Sequence, residues 1–183
     1  MSENKYSDIV FKEPVRDQRG STIIELDPQI EISTPFMEIC CPVTKCLHGP
    51  EGSVCIKTLI EKQFEEQLDE LSDFLKRSVA NNSKLWMRTK TQWTYERADA
   101  FMNSIIKQFR ETRSYLAIKT CVQDIKVYNE RKELLPSIAS LFTLDRKFTI
   151  QGKLVFDQIW ICQRRWGIKT RYKEIVIKNS RFT

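Results

Sequence analysis

Ser53-Val-Cys-Ile-Lys-Thr-Leu-Ile60-Glu-Lys-Gln-Phe64-Glu-Glu-Gln-Leu68-Asp-Glu-Leu71-Ser-Asp-Phe74-Leu75-Lys-Arg-Ser-Val79 is the most strongly patterned stretch of this 183-residue chain. Its apolar residues recur every three or four positions, the spacing that gathers them on one face of an α-helix. Glu61, Glu65, Glu66, Asp69, Glu70 and Asp73 make an acidic opposite face. Lys76 and Arg77 stand in the last turn, where cations suit the helix dipole. Asn81-Asn82-Ser83 reads as the stop. From Ser53 to Leu135 the chain has neither glycine nor proline, so helices are expected to continue beyond it.

Working outward, Thr89 and Gln92 have capping-box spacing. Trp93, Ala98, Phe101, Met102, Ile105, Ile106 and Phe109 form a second helical stripe. Trp86 and Trp93, with Arg88 and Lys90 nearby, read either as core or as a stacking platform for bases, and packing is the commoner use of large aromatics. Ser114 to Leu135 fits two periods. Ile118, Val122 and Ile125 suit a helix, whereas Leu116, Ile118, Thr120 and Val122 alternate as in a strand. The lack of glycine favours the helix. Pro136 suits the first turn of a short helix, Ser137 to Leu141.

The period then changes. Lys147–Gln151, Lys153–Gln163 and Ile168–Lys178 are rich in β-branched and aromatic residues, and Gly152 and Gly167 separate them. They predict a three-stranded antiparallel meander. Its middle strand carries Leu154, Phe156, Trp160 and Cys162 on one face. Upstream, five of the six prolines lie in the first 50 residues. Thr22–Leu26 and Gln29–Ser33 flank Asp27-Pro28 as a hairpin or two edge strands. Residues 1–20 are polar and read as a flexible arm. The expected fold is therefore α+β: an antiparallel helical hairpin or bundle over about 54–135, packed on the C-terminal meander, with a turn-rich N-terminal arm. Residues 21–183 form a single domain in this reading.

Composition narrows the function. There is no run of about 18 apolar residues to span a membrane and no signal-peptide pattern at the start. An intracellular protein, in cytoplasm or nucleus, with reduced cysteines is expected. Four of the six cysteines and the only histidine fall between Cys40 and Cys55. Cys41, Cys46, His48 and Cys55 are the candidate ligands for zinc, which takes thiolates and imidazole in tetrahedral sets. Their spacing matches no standard zinc pattern, and idle or buried thiols are the simpler account. A Cys–His catalytic dyad is a further alternative. Phosphate-loop, dinucleotide and metalloprotease signatures are missing, so a non-enzymatic protein is expected.

The chain carries a formal charge of +6, and all of it resides between Arg164 and Arg181. Arg164, Arg165 and Trp166 fall at a predicted hairpin tip, and Lys169, Arg171 and Lys173 alternate along the following strand toward one face. A ribbon with a cationic face and an aromatic tip can track a phosphate backbone, RNA or DNA. A solvated edge strand guarded by cations is the plainer account. The reading is a nucleic-acid-binding protein on an oligomerising scaffold. The alternative is an assembly or adaptor subunit of a protein complex, which meets an acidic protein surface or other partner through a helical or sheet face.

Overall fold

The computed structural model describes residues 5–46, 52–109 and 113–179. It is mostly β, with one long helix and two sheets, one of them eight-stranded and mixed. The expected helical bundle is not there. In chain order come β1 (Val10–Phe11), β2 (Val15–Arg16), β3 (Thr22–Ser33), β4 (Met37–Glu38), β5 (Thr44–Lys45) and β6 (Ser53–Ile60). Then follow α1 (Lys62–Met87), α2 (Tyr95–Ala100), β7 (Ile106–Phe109), β8 (Arg113–Cys121) and a 3-10 turn at Val122–Asp124. Last are β9 (Lys126–Asn129), β10 (Leu134–Leu135), α3 (Ser137–Phe142), β11 (Phe148–Cys162) and β12 (Arg165–Asn179). The chain divides into two compact units. One is built from the chain up to Ile30 with Glu66–Ser104 and Phe156–Lys169; the other from Glu31–Glu65, Ile105–Val155 and the chain from Thr170 onward.

In the first unit, α1 buries Leu68, Leu71, Leu75 and Val79 along one face. Each such side chain removed from water contributes roughly 1.5–3 kcal/mol. Residues 5–20, expected as an arm, carry β1 and β2, which pair antiparallel with β3. The Tyr6 ring lies 5.1 Å from Phe74, and the Phe11 ring lies 5.1 Å from Trp86. The helix runs through the predicted stop. The Asn82 amide donates to the Ser78 carbonyl oxygen at 2.9 Å, and the Ser83 hydroxyl donates to that of Ala80 at 2.9 Å. A polar side chain inside a helix can bond back to a carbonyl one turn earlier, which is how α1 accommodates Asn82 and Ser83. Arg88, at φ 53°, ends it. The second helix is only α2, capped by Thr94, whose hydroxyl accepts from the Arg97 amide at 3.3 Å. The Thr89–Gln92 capping box does not form.

In the second unit, Ser53–Ile60 is a strand and not the start of the helix. Val54, Ile56, Thr58 and Ile60 are buried in strict alternation. β6 pairs with β8 over eight positions, from Ser53 opposite Cys121 to Ile60 opposite Ser114. The helix expected over Ser114–Leu135 is thus β8, β9 and β10. Period two wins because Leu116, Ile118 and Thr120 meet a matching face across the ladder. β9 pairs in parallel with the C-terminal part of β12 and antiparallel with β10. The short helix after Pro136 forms as α3.

The three-stranded meander resolves into two long strands. Gly152 and Gly167 lie inside β11 and β12, not between strands. A Cβ at Gly152 would sit 2.9 Å from the Tyr172 ring and 2.9 Å from the Glu174 carbonyl oxygen. Glycine inside a strand marks such a close approach. Likewise Asp27-Pro28 lies within one twelve-residue strand, β3, not between two.

Candidate nucleic-acid interface

β11 and β12 are joined by Gln163 and Arg164. Gln163 has φ 56°, a left-handed conformation that glycine or asparagine adopts more readily. Strain of this kind is held where surrounding structure over-determines it. Here it turns the chain so that Arg164 and Arg165 are exposed side by side. Among the described residues neither guanidinium has an ion-pair partner.

Trp166 points the other way and has no exposed surface. Its indole N–H donates to the Ala98 carbonyl oxygen at 2.7 Å. Its backbone N–H donates to the Phe101 carbonyl oxygen at 3.2 Å, and its own carbonyl oxygen accepts from the Asn103 N–H at 2.7 Å. The two backbone hydrogen bonds therefore fix Phe101 and Asn103 beside the arginine tip, and the indole bond to Ala98 anchors Trp166 beneath them.

The result is an open groove of about 540 Å³ lined by Phe101, Asn103, Trp160, Cys162, Gln163, Arg164 and Arg165. Two cations, two aromatic side chains and no carboxylate line it. Trp160 is half-buried, whereas Trp86, Trp93 and Trp166 are buried. The Trp160 ring rests against Gly167. Phe101 is backed by Trp93 at 5.5 Å between ring centroids, and the Arg97 guanidinium lies 4.9 Å from the Trp93 centroid. Trp86 and Trp93 thus serve the core.

Of the residues singled out in the sequence, Arg164 and Arg165 line the groove and Trp166 supports it from the core. Lys169 is exposed in the same unit, with its ammonium 3.4 Å from Gln158 Oε1. Arg171 and Lys173 belong to the second unit. There Lys173 donates to Glu31 at 2.7 Å, and Lys153 lies 3.5 Å from the same carboxylate. The Lys173 hydrogen bond, outweighing the opposing effect of burial and helped by both ammonium charges, holds the Glu31 carboxyl below its ordinary pKa. Asp73, on the acidic face of α1, accepts from the Tyr95 hydroxyl at 2.6 Å and lies 3.5 Å from Lys76. The sequence reading missed Trp160, Phe101 and Asn103 as groove residues. Trp160 had one usable signal: it precedes the charged turn on the same strand face as Cys162.

Cys41, Cys46 and Cys55 are half-buried free thiols of the second unit. The β5–β6 register sets Thr44 opposite Cys55, and the Cys46 amide donates to the Ser53 carbonyl oxygen at 2.9 Å. Burial, and next the neighbouring Cys46, raise the Cys55 thiol pKa. His48 lies outside the described residues. Among the described residues no group of three or more His, Cys, Asp or Glu is placed to hold a metal ion. No helix among them is long and apolar enough to cross a membrane.

No protein-family model matches the sequence, and no curated protein matches it. Solved structures do. The single-stranded DNA-binding protein of bacteriophage Enc34, in a C-terminally truncated form, superposes with a TM-score of 0.51 at 13% identity, covering 94% of this chain and 95% of that one. The same phage protein in complex with single-stranded DNA gives 0.51 at 13% identity, covering 94% and 96%. A third structure of it gives 0.51 at 14% identity, covering 93% and 90%. At these identities the likeness is one of fold.

Proposed function

We propose that this chain is a non-enzymatic protein that binds single-stranded DNA, and that its first unit meets the strand at the Trp160–Arg165 groove. The groove itself carries the reading: two exposed guanidiniums, with no ion-pair partner among the described residues, stand beside aromatic side chains, and no carboxylate is among the lining residues. Arginines neutralise backbone phosphates and release counterions. Aromatic rings accept any base that is free to leave its stack. Both needs are met by a single strand, whereas a duplex hides its base faces. The fold likeness supports the same reading, since one of the Enc34 structures is a complex with single-stranded DNA. DNA in preference to RNA rests on that likeness alone.

The test is fluorescence anisotropy with a labelled oligothymidylate, alongside a duplex and an RNA of equal length. The single strand should bind more tightly than the duplex, and log affinity should fall linearly with log salt. Arg164→Glu with Arg165→Glu should weaken binding and reduce the salt slope by roughly 0.7 per lost phosphate contact. Equal affinity and slope in the folded double variant would remove the groove from the interface. No binding by the wild-type chain, together with a defined oligomer in sedimentation, would favour the adaptor reading.

A further inference from the structure

We propose that Trp160 is the base-stacking platform of this groove and that Gly167 is the residue that positions it. The inference rests on the single-strand reading above and adds the subsite and its ligand, the face of an unpaired base. Trp160 is the one tryptophan of the four that is not buried. It lines the groove together with Arg164 and Arg165, so a base on the indole has phosphate-binding groups nearby.

The position of the ring depends on Gly167. A Cβ at that residue would lie 2.7 Å from Trp160 Cζ2, 2.9 Å from Cε2 and 3.0 Å from Nε1. Contacts so short do not persist, so any side chain at 167 displaces the ring. The glycine carries no positive φ to explain it, and inside a strand it weakens the local structure. Close approach of the indole is what that position provides. A ring seated on backbone has little freedom to lose when a base stacks on it, which is how preorganised aromatic contacts gain affinity.

Four variants test this by oligothymidylate anisotropy, with circular dichroism as the check on folding. Trp160→Ala should lower affinity about 5- to 150-fold, the range of one stacked base. It should leave the salt slope unchanged, because no phosphate contact is lost. Gly167→Ala should lower affinity in the same sense, again at constant slope. Trp160→Phe combined with Gly167→Ala should recover part of that loss, since phenylalanine lacks the indole atoms that the new methyl meets. Should Gly167→Ala fail to fold, adding Trp160→Ala should restore folding by making room.

A wild-type chain that binds no single strand overturns both this inference and the function it rests on. If Trp160→Ala leaves affinity unchanged while the arginine variants lose it, the platform is wrong and single-strand binding stands. If Trp160→Ala weakens binding but Gly167→Ala does not, or if neither double variant rescues its parent, the positioning role is wrong.

Discussion

Trp166 and Ala98 are joined by a 2.7 Å hydrogen bond from the indole N–H to the backbone oxygen, in a side chain with no exposed surface. That places Trp166 beneath the groove, although it is the aromatic residue nearest the basic tip in sequence. Replacing it by alanine should cost roughly 3–5 kcal/mol, as for other large aromatics in cores. Trp166→Phe should cost less while leaving Ala98 without its donor, adding about 1 kcal/mol. Urea denaturation of both variants reads these losses. A Trp166→Ala midpoint equal to wild type would contradict the burial.

Gln163 offers the opposite sign. Its φ of 56° costs an L-residue about 1 kcal/mol that glycine does not carry. Gln163→Gly should therefore raise the melting temperature, measured by calorimetry. A lower melting temperature would mean that the added chain entropy of glycine exceeds the relief of strain.

How far the sequence reveals this fold depends on where the deciding contacts are. The α1 face was legible because Leu68, Leu71, Leu75 and Val79 carry their own period. Ser53–Ile60 was not, since Ile56, Leu59 and Ile60 also fit that helical spacing. What makes them a strand is β8, a partner far downstream whose alternation was visible but had no assigned neighbour. Gly152 and Gly167 misled for the same reason. Each looks like a turn until the rings of Tyr172 and Trp160 are seen against them. The charge of the groove was readable by counting arginines. Its aromatic wall was not, because Leu154, Phe156, Trp160 and Cys162 look equally apolar in sequence and differ only in how each is covered. Leu154 and Phe156 are buried, Trp160 half-buried and Cys162 exposed.

Glu31 gives a prediction for pH. Its carboxyl is held below the ordinary value, first by the Lys173 hydrogen bond. A depressed carboxyl stabilises the fold above its unfolded pKa, and the contribution is lost as pH falls through the lower, folded value. Glu31→Gln should accordingly be less stable than wild type at neutral pH, and the two should converge in acid. Lys173 is solvent-exposed, so the difference should be small and should shrink with salt. Urea midpoints of both proteins across the acid range check this. A gap that widens toward low pH would reverse the assignment.

The thiols give a test that reads the groove directly. Cys162 is exposed and lines the groove, whereas Cys40 is buried. Burial, and next the adjacent Cys41, push the Cys40 thiol up to about 11. Since the thiolate is the nucleophile, Cys40 should scarcely react with iodoacetamide at about pH 8, and Cys162 should react first. Saturating oligothymidylate should then slow Cys162 while leaving the remaining cysteines unchanged, because a strand lying across Trp160 and Arg164 covers that sulfur. Peptide mass spectrometry over a time course resolves each site. Rapid labelling of Cys40 would contradict its burial. A bound strand that leaves Cys162 fully reactive would place the nucleic acid elsewhere on the protein.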